Sequence, residues 1–86
     1  MITKKYIADQ LLAYLQHQLS AAALVDWAEN NLMEGNYEDD AHHTIRNILA
    51  QLGLADVKAF GLEYQDCEAM MQKLGYTLEV KALSVA

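Results

Sequence analysis

Residues 20–53 read SAAALVDWAENNLMEGNYEDDAHHTIRNILAQLG. Ser20 is a natural helix N-cap, because its hydroxyl accepts from a free backbone N–H of the first turn. Leu24, Val25, Ala28 and Leu32 recur at helical spacing, with Trp27 and Met33 at the flank. Gly35 follows, where a helix C-terminus takes a residue free to turn back. The spacing therefore predicts a helix over residues 21–34. A second stripe follows in Ala41, Ile45, Ile48, Leu49 and Leu52, before Gly53. It predicts a helix over residues 38–52, with Glu38, Asp39 and Asp40 in its first turn, where negative charge favours the positive end of the helix dipole.

Outward from this pair, Thr3 caps a first helix running to about Gln18, with Ile7, Leu11, Tyr14, Leu15 and Leu19 on one face. Its link to the next helix is short, so the two are expected to pack as an antiparallel pair. A shorter helix over residues 63–74 presents Cys67, Met70, Met71 and Leu74, and ends at Gly75. The tail changes period: Tyr76, Leu78, Val80 and Ala82 alternate with Thr77, Glu79, Lys81 and Leu83, the pattern of a half-buried strand. A lone strand leaves its backbone groups unpaired. Its expected partner is residues 57–60 or another subunit. The fold class is mainly α, four helices with a short C-terminal β-strand, and residues 1–86 form a single helical domain.

The chain has 86 residues, 53% of them hydrophobic, enough for one packed core. Twelve acids oppose six bases, for a net charge of −6. That balance argues against nucleic acid and anionic membranes, which are held by clustered Lys and Arg. Lys4, Lys5 and the stretch from Tyr6 to Leu15 imitate a signal peptide, but Asp9 and Gln10 interrupt it. The longest uncharged run, residues 10–25, is too polar to span a bilayer. One cysteine, Cys67, excludes an internal disulfide. A cytoplasmic protein is expected.

The charge is uneven. Residues 6–45 hold seven acids and no Lys or Arg. Six of these acids, Asp26, Glu29, Glu34, Glu38, Asp39 and Asp40, cluster around Gly35. Clustered carboxylates steer a cationic partner and repel an anionic one. Such runs also serve as plain solvated surface. Tyr37, in the connecting loop, is the expected exposed aromatic at the centre of this patch. The function this suggests is a small non-enzymatic binding or regulatory domain that docks a basic protein through these seven residues.

Two other readings remain open. One is a structural homo-oligomer, as a homodimer joined through the terminal strand. The other is a metal-binding protein using His42 and His43 with nearby carboxylates. On a helix, Glu38 and His42 share a face, as do Asp39 and His43. Adjacent histidines point about 100° apart, however, and the His-x-x-x-His spacing of helical zinc sites is absent. Cys67 reads as a buried inert thiol. There is no Gly-rich phosphate loop and no Ser–His–Asp grouping near Ser20 or Ser84. No cofactor is expected.

Overall fold

In a computed structural model of the chain, residues 1–77 are described. Five α-helices follow one another: α1 (Lys4–Leu15), α2 (Ala21–Glu34), α3 (His42–Leu52), α4 (Ala55–Phe60) and α5 (Tyr64–Lys73). A single 3₁₀ turn, Asp39–Ala41, leads into α3.

The caps explain the boundaries. Thr3 Oγ1 accepts from the Tyr6 N–H at 3.1 Å, and Ser20 Oγ accepts from the Ala23 N–H at 3.1 Å. Each satisfies one of the donors that a helix start leaves unpaired. At α5, the Glu63 side chain accepts from the Asp66 N–H, and Asp66 Oδ2 accepts from the Glu63 N–H at 3.0 Å, a reciprocal capping box. α1 ends at Leu15, short of the expected Gln18, and His17 then takes a positive φ of 62°.

The helical stripes form one core. Ile7 and Leu11 of α1, Leu24 and Ala28 of α2, Ile45, Ile48, Leu49 and Leu52 of α3, and Cys67, Met70 and Met71 of α5 are buried together, while Val25 is buried outside this cluster. α2 is the hub: it packs against α1, α3 and α4, most extensively on α3, while α1 also meets α5. Trp27 lies half-buried against the Tyr6 ring, centroids 5.4 Å apart. Its indole N–H is buried without an acceptor among the described residues.

Two further expectations are corrected. Residues 57–60 are not a strand but belong to α4, which has Asp56 in its first turn and Gly61 after it. The segment is helical because Val57 alone needs burial, and one apolar contact per turn suits a short helix. From Leu78 onward, the expected terminal strand lies outside the described residues. Among the described residues, the strand-like pairing is a parallel bridge between Ile2 and Tyr37.

One polar contact fixes the α4–α5 link. The Tyr14 hydroxyl accepts from the Leu62 N–H at 2.7 Å and donates to the Leu62 carbonyl at 3.1 Å. Gly61 has φ +78°, and a Cβ there would lie 2.6 Å from that hydroxyl oxygen. Removing the hydroxyl leaves both Leu62 backbone groups without their partner. Tyr14→Phe is therefore expected to cost about 1–3 kcal/mol, read as a lower midpoint in urea unfolding. Gly61→Ala is expected to be destabilising through both backbone strain and collision. In the Tyr14→Phe background only the strain remains, so Gly61→Ala should cost less there. Equal costs in the two backgrounds would refute the close approach.

Candidate functional site

The acidic residues are spread over α2, the loop after it and the 3₁₀ turn. Successive residues of a helix turn by about 100°, so Asp26, Glu29 and Met33 share one outward stripe of α2, opposite Leu24, Val25 and Ala28. Asp26 is exposed and pairs with Lys58 of α4 at 3.8 Å. An exposed pair of this kind contributes little. Glu29 is also exposed, and its Cγ stands 3.5 Å from where a Gly53 Cβ would be. These two acids therefore face the α3–α4 corner.

Glu34 closes α2 and is exposed. Beyond Gly35 the chain folds back onto the N-terminus. The Ile2 N–H donates to the Asn36 carbonyl and the Glu38 N–H to the Ile2 carbonyl, both at 2.8 Å. Glu38 is half-buried, and its Oε1 accepts from the Lys4 N–H at 3.1 Å. A carboxylate at that point complements the positive end of α1, so Glu38 serves the fold. Asp39 and Asp40 are exposed in the 3₁₀ turn, and among the described residues neither side chain has a hydrogen bond or ion pair.

Tyr37 overturns its expected place. It is only 6% exposed, not an exposed aromatic, and its hydroxyl donates to the Leu32 carbonyl at 3.0 Å. Backbone pairing with Ile2 draws the ring inward. Met33, expected at the flank of the α2 stripe, is 85% exposed at the end of the helix. Its position outside the Leu24–Val25–Ala28–Leu32 stripe carried the signal. Phe60, 89% exposed at the end of α4, was missed for the same reason that α4 was.

His42 and His43 open α3, their rings perpendicular with centroids 5.8 Å apart. His42 also lies against the Tyr37 ring, at 5.2 Å. Residues 39–41 form a 3₁₀ turn, so the expected α-helical pairing of Glu38 with His42 and of Asp39 with His43 does not apply. Among the described residues, no three His, Cys, Asp or Glu side chains come together as a metal-ligand set. Leu32, Tyr37, His42 and Arg46 line a shallow hollow of about 400 Å³ beside Gly35.

Cys67 is fully buried, and burial, with a smaller contribution from Asp66, pushes its thiol up to about 11. The neutral thiol is inert at ordinary pH. Among the described residues, no helix is long and apolar enough to cross a membrane. The chain matches no protein-family model, no curated protein and no solved structure.

A thiol-specific disulfide reagent at neutral pH should label Cys67 only at the rate of opening, and at once in denaturant. Prompt labelling of the folded protein would place the thiol at the surface. The folded state holds the Cys67 proton to higher pH than the unfolded chain does. Its stabilising contribution is therefore full below pH 9 and lost towards pH 11. The slope is roughly one kcal/mol per pH unit, read as the difference between wild type and Cys67→Ala in urea melts.

Proposed function

We propose that this protein is a non-enzymatic binding module that docks a basic partner on the outward face of α2 and the loop that follows it. The observation that carries the reading is Met33, almost wholly exposed on the stripe that also bears Asp26 and Glu29, with Glu34 beside it. An exposed methionine is a flexible apolar anchor that adapts to its contact. Carboxylates around it steer and select a cationic surface. Asp39 and Asp40, exposed in the 3₁₀ turn, extend the negative potential toward α3. Tyr37 and Glu38 support the loop from within and are not part of the contact. The proposed setting is the cytoplasm, and Cys67, a free thiol enclosed in the core, is compatible with it.

A homo-oligomer is the second reading, and Phe60 favours it. A bare aromatic at a helix end is a common interface anchor. Sedimentation of wild type and Phe60→Asp separates the two readings, because a monomer in both forms removes the oligomer.

The docking face is tested with a synthetic cationic amphipathic helix, titrated into isotope-labelled protein. Amide shifts are expected to concentrate at Asp26, Glu29, Met33, Glu34, Asp39 and Asp40, and to weaken with salt. Reversing Asp26, Glu29 and Glu34 to Lys should lower affinity about tenfold or more, ~1.4 kcal/mol. Met33→Gln should weaken binding with the charges intact. Shifts spread evenly over the surface, or affinity indifferent to Met33, would overturn the reading.

A further inference from the structure

A cavity of about 590 Å³ opens between the α1–α2 link and the end of α4. Leu15, Leu19 and Leu62, each half-buried against the core, supply its apolar wall. Phe60 stands at its rim, 89% exposed. His17 and Lys58 also line it, and among its described lining residues there is no Asp or Glu. In a chain with twelve acids and six bases, such a lining reverses the general balance of charge. Small-molecule sites are concave, of about 300–1,000 Å³, and combine apolar walls with a few polar groups.

Both sides of the cavity are held in place. The Tyr14 hydroxyl, itself in the lining, fixes the Leu62 backbone through bonds of 2.7 and 3.1 Å. On the other side, the His17 N–H donates to the Tyr14 carbonyl at 3.1 Å and the Gln18 N–H to the Ala13 carbonyl at 2.9 Å. These two bonds form a Schellman turn, whose left-handed position usually takes glycine. Here His17 occupies it, with φ 62°. Glycine would sit there without strain. The imidazole is thus kept at the cavity against a backbone preference, and strain of this kind gathers at binding sites. Lys58 is available as well. Its partner Asp26 is 3.8 Å away and both side chains are more than half exposed, so the pair gives way cheaply.

We infer that this cavity binds a small aromatic carboxylate, with its ring against Phe60 and the leucines and its carboxylate on Lys58 and His17. Phe60 offers a ring for offset stacking. Apolar walls alone would accept any hydrophobe, and Lys58 selects the acid through a charge-assisted hydrogen bond. The net charge of −6 opposes an anion at long range. That field is screened over about 8 Å at physiological salt, so the residues lining the cavity decide. The inference stands whether or not the acidic stripe binds a partner, since none of the stripe's residues lines the cavity.

The test titrates naphthoate, and separately its neutral carboxamide, into the full isotope-labelled chain. Saturable shifts are expected at Leu15, His17, Leu19, Lys58, Phe60 and Leu62, with the carboxamide bound about tenfold or more weakly. Lys58→Met keeps the length of the side chain and removes its charge. It should weaken naphthoate about tenfold and leave the carboxamide unchanged. His17→Gly should keep or raise the midpoint of urea unfolding, because it relieves the backbone, and yet weaken naphthoate severalfold. A purely structural His17 would not separate stability from binding in this way. The absence of saturable shifts, equal affinity for the acid and its carboxamide, or affinity unchanged in both variants would overturn the inference. Shifts at these residues that follow protein concentration and ignore naphthoate would give Phe60 to a second copy of the chain and overturn it too.

Discussion

The Tyr14 hydroxyl holds together parts of the chain that local sequence cannot. It bonds both backbone groups of Leu62, 48 residues away, and so fixes the link between α4 and α5 against α1. Helices can meet their own hydrogen-bonding needs, but the link between two of them cannot. A single side chain that both accepts and donates settles the matter for Leu62. The position of α5, and with it the burial of Cys67, Met70 and Met71, follows from where that link is held. Gly61 is the corollary: the backbone passes so close to the phenol that a side chain there has no room.

Around this contact the molecule is an exercise in covering apolar stripes. α2 is enclosed by three other helices and supplies the middle of the core. Its remaining side faces outward, which is why the candidate contact surface is found there. Leu24, Val25 and Ala28 are buried, while Asp26, Glu29, Asn30, Met33 and Glu34 are exposed on the opposite side. On α2 that side carries three carboxylates and one methionine among small and neutral residues.

How much of this was legible in the sequence depended on range. Thr3, Ser20 and the glycines after residues 34 and 74 act within one helical turn, so those boundaries were readable from local spacing. The stripes of α2, α3 and α5 were readable because each is long enough to show a period. α4 was not, since six residues with one buried side chain give no period to read. Tyr37 was misread because its polar neighbours suggest an exposed loop. Its burial comes from Ile2, 35 positions earlier, and a bridge that distant leaves no local trace. The acids are visible in the sequence as a run, but a run does not tell which of them serve the fold. Glu38 sits among them in sequence and yet serves the start of α1.

The tie between the N-terminus and the loop after α2 has a consequence for opening motions. Ile2 and Lys4 hold residues 36–38 by three backbone-donated bonds, all at the edge of the fold. Chain termini are where local unfolding begins. Fraying of the first four residues would release the Glu38 carboxylate and uncover Tyr37 without disturbing α2 or α3. The same small opening would thus add an acid and an aromatic ring beside Asp39 and Asp40, and hydrogen exchange at the Ile2, Lys4 and Glu38 amides would report its frequency.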